Sequence, residues 1–114
     1  MEVVVDLQGL TVTLAGAEDT ERFAVRVAGP PGASGRHGPD VHRLVDVLAA
    51  AGAGRLNPGG DAFIRPDAVR FHAAGQVGEG WEERFTAMVD FAASKGWTAE
   101  DGWIQAHVEW PGPD

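Results

Sequence analysis

The chain has 114 residues, with 17 acids against 9 bases, four histidines and no cysteine, for a formal net charge of −8. That length suits a single domain over residues 1–114, and 44% apolar residues are enough to build a packed core. The charge disfavours a nucleic-acid backbone or an anionic membrane surface as partner, and the lack of cysteine excludes disulfides, zinc–thiolate sites and a thiol nucleophile.

No apolar run approaches the ~20 residues of a membrane span. Asp6 interrupts the first such run before a secretory signal could form, so a soluble, cytoplasmic domain is expected. Val3, Val5 and Leu7 interleave with Val4 and Asp6. Leu10, Val12 and Leu14 interleave with Thr11 and Thr13, and Phe23, Val25 and Val27 follow a polar turn at Ala17–Thr20. This period-two patterning predicts three strands sharing one apolar face, with Gln8-Gly9 as the first hairpin turn, and hence an antiparallel meander. Residues 29–39 are rich in glycine and proline, with Gly29, Gly32, Gly35 and Gly38 at every third position. Four triplets are too few for a collagen-like helix, so an exposed loop is expected.

Asp40 reads as a helix N-cap, followed by Val41, Leu44, Val45 and Leu48 at helical spacing, with Gly52 as the stop. Residues 52–60, containing Asn57-Pro58-Gly59-Gly60, read as a turn-rich connector, and Ala62–Ile64 as a short strand. Pro66 suits the first position of a helix through Ala74, although a hairpin turning at Arg65–Ala68 fits the same residues. In Trp81–Lys95 the residues Trp81, Phe85, Met88, Val89 and Ala92 form one helical stripe, with Glu82 and Glu83 in the first turn and Gly96 just beyond the end. Trp97 stands where a residue packs back on the preceding helix. Trp103–Trp110 alternates again, with Ile104, Ala106, Val108 and Trp110 on one side. The fold class expected from these elements is α+β. A mostly antiparallel sheet of four to five strands, made of the N-terminal meander and the C-terminal strand, packs on two main helices.

Chemistry-bearing residues gather in two places. Ser34, Arg36, His42 and Arg43, with His37, make a locally basic spot where a strand, a glycine-rich loop and a helix start could hold an anion. The loop lacks the Gly-Lys-Ser/Thr ending of a phosphate-binding loop, and Asp40 occupies the position an anion would take, so a plain surface loop is the competing reading. His37, Asp40 and His42 offer three metal ligands, but no fourth is near and the loop fixes no geometry; no metal and no cofactor are expected. Ser34 and Ser94, the only serines, lie in no nucleophile elbow.

The second place is the sheet face opposite the helices. If Ile104, Ala106 and Val108 point inward, then Trp103, Gln105, His107 and Glu109 point outward, together with Glu2, Val4, Asp6, Thr11, Thr13 and Arg26. His107 and Glu109 would form a polar centre, Trp103 an apolar wall beside it, and Arg26 a partner for a carboxylate. Ordinary cross-strand charge pairing is the alternative. Residues 76–114 also hold eight acids and two bases, a solvated helix face or an acidic docking patch. These features fit a non-catalytic accessory or regulatory domain that binds a protein. The alternative is a small-molecule-binding or acid–base enzyme with its histidine and carboxylate on the open sheet face; self-association is left open.

Overall fold

A computed structural model describes residues 1–28 and 40–110. Among these residues, six strands and three helices follow one another as β1 (Glu2–Asp6), β2 (Thr11–Ala15), β3 (Ala24–Ala28), α1 (Asp40–Ala50), β4 (Gly54–Leu56), β5 (Ala62–Ile64), α2 (Pro66–Ala73), α3 (Trp81–Ser94) and β6 (Ile104–Glu109). The strands make one sheet in the order β2-β1-β3-β6-β5-β4. The expectation of a mostly antiparallel sheet of four to five strands on two helices is therefore corrected to a mixed, curled six-stranded sheet with three helices.

The error lies in how β3 pairs. β1 and β2 form the expected antiparallel hairpin, but β3 lies on the far side of β1 and parallel to it, with Val3 opposite Val25 and Val5 opposite Val27. A meander needs a short turn, whereas residues 16–23 are long enough to cross the end of β1. That link is tied to α3 instead. The Trp81 indole N–H donates to the Ala17 carbonyl at 2.6 Å, and Glu18 accepts from the Gly78 N–H at 2.8 Å and pairs with Arg84 at 2.6 Å.

β6 joins the two halves of the sheet. Its first residues pair antiparallel with β5 (Ile104 opposite Ile64, Ala106 opposite Ala62), and its later ones pair parallel with β3 (His107 opposite Ala24, Glu109 opposite Arg26). β4, inside the segment expected to be a connector, pairs antiparallel with β5 around the Asn57–Gly60 turn. The Asn57 side chain accepts the Asp61 N–H at 3.0 Å and so closes that turn.

The sheet must curl. Laid flat, six strands would be about 24 Å wide, yet α1, eleven residues or about 16 Å long, touches β1, β2 and β4, near both edges. α2, which follows β5, packs on β2 at the opposite edge. Inside the curl lies one core, in which Val5, Val25, Leu44, Leu48, Ile64, Val69 and Phe85 are almost wholly withdrawn from solvent.

The helix ends follow from local chemistry. Gly52 and Gly96 both have positive φ (64° and 76°) and place the next N–H on a carbonyl of the last helical turn: Ala53 on Leu48 and Trp97 on Ala92, each at 2.9 Å. Trp97 does pack back as expected, edge-on against Phe91 at 6.0 Å. Residues 66–73 are helical, with Pro66 in the first turn, so the hairpin alternative falls.

The β1–β2 turn departs from expectation. It takes four residues, the Asp6 carboxylate accepts the N–H groups of Gln8 and Gly9, and Leu10 is left outside the strand at φ 56° and 64% exposed. A leucine there carries the left-handed penalty of a β-carbon and gains little from burial. Leu10→Asn should therefore stabilise the fold by about 0.5–1 kcal/mol, raising Tm by a few degrees. An unchanged or lower melting temperature would show that the turn is not strained.

Candidate functional site

β6 runs through the site. Its alternation is as expected: Ile104, Ala106 and Val108 are buried, Gln105 is half-buried, and His107 and Glu109 are exposed on the outer face. The helices pack on the inner face, so the outer face carries the exposed polar residues of the strands, such as Arg26, Arg55, His107 and Glu109.

Register continues the row beyond β5. Ala62 faces Ala106, which brings Asp61 level with His107. The Gln105 amide donates to Asp61 Oδ2 at 3.0 Å, and Asp61 Oδ1 stands 3.8 Å from His107 Nδ1. The imidazole, 75% exposed, is near enough to attract this carboxylate when charged but makes no hydrogen bond to it. The carboxylate facing His107 is thus Asp61, across the strands, and not Glu109 on its own strand.

A second cluster lies one row along. Arg55, Phe63 and Gln105 face one another across β4, β5 and β6. The Arg55 guanidinium stacks 4.4 Å from the Trp103 ring and 5.4 Å from that of Phe63, and donates to Asp101 Oδ2 at 2.9 Å. Each contact fixes another: the carboxylate sets the plane of the guanidinium, and the guanidinium covers both rings.

The Arg55 hydrogen bond is the main reason the Asp101 carboxyl is held below its ordinary 3.8, with the Trp103 N–H adding to the effect and partial loss of hydration opposing it. A lowered carboxyl favours the paired state at neutral pH, and that advantage is lost only as pH falls through the lowered value. By NMR titration Asp101 should protonate below 3.8 in the native chain and return to the ordinary range in Arg55→Gln. An unshifted Asp101 in the native chain would mean the pair does not persist in solution.

At the far end of β6, Arg26 faces Glu109 by register, but its side chain bonds Glu2 on β1 at 3.3 Å. Glu109 instead lines a shallow groove of about 390 Å³ with Glu2, Asp19 and Arg22. Trp103 and Glu109 are six residues apart on an extended strand, about 20 Å. The four residues expected to act together therefore share a face without forming one centre. His107 stands between the Trp103–Arg55 cluster and the Arg26–Glu2 pair.

Asp61, Arg55, Phe63 and Asp101 were not among the expected site residues. Only the β4–β5–β6 register brings them together, and nothing local in their sequence marks it. Of the loop candidates, Ser34, Arg36 and His37 lie outside the described residues, while His42 and Arg43 are exposed on α1. Among the described residues no group of three histidines or carboxylates is placed to hold a metal ion. A groove of about 510 Å³ beside Arg65, Asp67, Phe71 and His72 lies away from His107, between the ends of α1 and β5 and the side of α2. No helix of the described residues is long and apolar enough to cross a membrane. Compared with known proteins, the chain matches no protein-family model, no curated sequence and no solved structure.

Proposed function

We propose that the protein is a non-catalytic binding module, an accessory or regulatory domain that receives a protein partner on the outer face of its sheet. The supporting observation is the Arg55–Trp103–Phe63 stack beside Gln105 and His107 on the outer face, where Trp103 also borders a groove with Pro66 and Arg70 of α2 and Val89 of α3. Arginine and tryptophan held rigidly on an accessible surface are the side chains that carry most of the energy of protein interfaces. The acids around them, Asp61, Asp101, Glu2 and Glu109, outnumber Arg55 and Arg26, which suits a partner with basic groups at its rim.

Acid–base catalysis fits less well, because it needs a base held against a substrate in a site that excludes water. His107 is three-quarters exposed. The Gln105–Asp61–His107 chain does favour one second reading, a small ligand hydrogen-bonded to the imidazole.

The test is co-purification with tagged chain, followed by titration calorimetry against the recovered partner. Trp103→Ala should weaken binding by at least ~2 kcal/mol, roughly 30-fold, with an unchanged melting curve. His107→Ala should also keep the fold and reduce binding. A partner bound equally well by both variants would place its contact elsewhere. A small ligand lost only in His107→Ala would support the second reading.

A further inference from the structure

We infer that the protein forms a weak symmetric dimer by pairing β2 with β2 of a second copy, which goes beyond the binding role proposed for the outer face. β2 is an edge strand of the sheet, bonded to β1 on one side. In an antiparallel pair the backbone groups of alternate residues point away from the partner strand. Among the described residues, no backbone or side-chain group bonds the outward-facing backbone of Thr11–Ala15.

Natural edge strands are protected by charge, proline, a bulge, shortness or a covering helix or loop. β4, the other edge, is three residues long and carries Arg55. β2 has five residues, Thr-Val-Thr-Leu-Ala, with no charge, proline or bulge, and α2, which packs against it, does not bond its outward backbone. In a chain of net charge −8, an uncharged edge is where a second copy can approach with least repulsion.

The strand is also self-complementary. A two-fold axis through Thr13 sets Thr13 against Thr13 of the second copy and Thr11 against its Ala15 on the outer face, and Val12 against its Leu14 on the core face. Threonine pairs are favourable cross-strand neighbours, and the Val12–Leu14 pairs continue the apolar row of the core face. The same surface meets itself, as a closed two-fold interface requires. The product is a continuous twelve-stranded sheet with both outer faces free.

One five-residue edge is small beside the ~800 Å² per partner of a standard interface, so the dimer should be weak, about micromolar or weaker. Sedimentation of the full chain from about 1 μM to 500 μM should show a monomer–dimer equilibrium. Thr13→Lys places like charges opposite each other on the solvent face and should raise the dissociation constant at least tenfold, with unchanged circular dichroism. Trp103→Ala should leave the dimer intact, which separates this contact from the outer-face site. Amide exchange of β2 should slow as concentration rises. A monomer throughout the range, or a dimer that persists in Thr13→Lys, would overturn the proposal.

Discussion

Phe85→Ala should cost the fold about 3–5 kcal/mol, a large part of the stability of a domain this size. Phe85 is fully buried at the centre of the α3 stripe. Its ring stacks nearly parallel to that of Trp81, with centroids 4.9 Å apart, and the Arg70 guanidinium lies 5.1 Å from its centroid. Removing it leaves a cavity and also frees Trp81, whose indole holds the Ala17–Glu18 link in place. Urea unfolding followed by tryptophan fluorescence should show the midpoint falling sharply, and Phe85→Leu should recover much of the loss. A loss below about 1 kcal/mol for the alanine variant would mean that α3 is not packed on the sheet as described.

Gly54→Ala should cost about 3 kcal/mol, although it adds a single methyl group. A β-carbon at Gly54 would collide with the Phe63 carbonyl oxygen and crowd Ile64 at 3.0–3.1 Å. The principal obstacle is backbone of the paired strand, so no rotamer change relieves it. β4 would have to part from β5, carrying Arg55 off Trp103 and Asp101. The variant should therefore lose stability and also raise the Asp101 pKa toward its ordinary value. Gly78→Ala is the control, since its added β-carbon meets only the Glu18 side chain at 3.9 Å. Equal stability of the two variants would argue against the β4–β5 pairing.

Sequence pattern revealed the strands of the N-terminal half and β6 because their alternation is created by burial, and burial leaves a local trace. The apolar residues expected of β1, β3, α3 and β6 are in the core or packed against it. Strand direction leaves no such trace: Val25 and Val27 are buried whether β3 runs with β1 or against it. Leu10 misled because an apolar side chain in phase with Val12 and Leu14 resembles a strand residue, whereas the Asp6 turn places it outside. β4 was hidden by its shortness and by Gly54, a residue that normally marks a loop and here permits close approach of Phe63. The outer face of β6 was legible, but its partners were not, since Asp61 meets His107 only through a register between segments more than forty residues apart.

The half-and-half pairing of β6 has a consequence for how the chain assembles. The β1–β2 hairpin and the β4–β5 hairpin can each close from neighbouring residues, but no strand pairing links the β1–β3 ribbon to β5 until Ile104–Glu109 inserts between them. Before insertion both ribbons expose raw edges lined with valine and isoleucine, the kind of surface on which chains aggregate. Joining them closes a loop from Ala24 to His107, so the step is rich in distant contacts and slow. Assembly then depends on a six-residue clasp, and a lesion at its buried residues, Ile104, Ala106 or Val108, would be felt first as lost yield of folded protein.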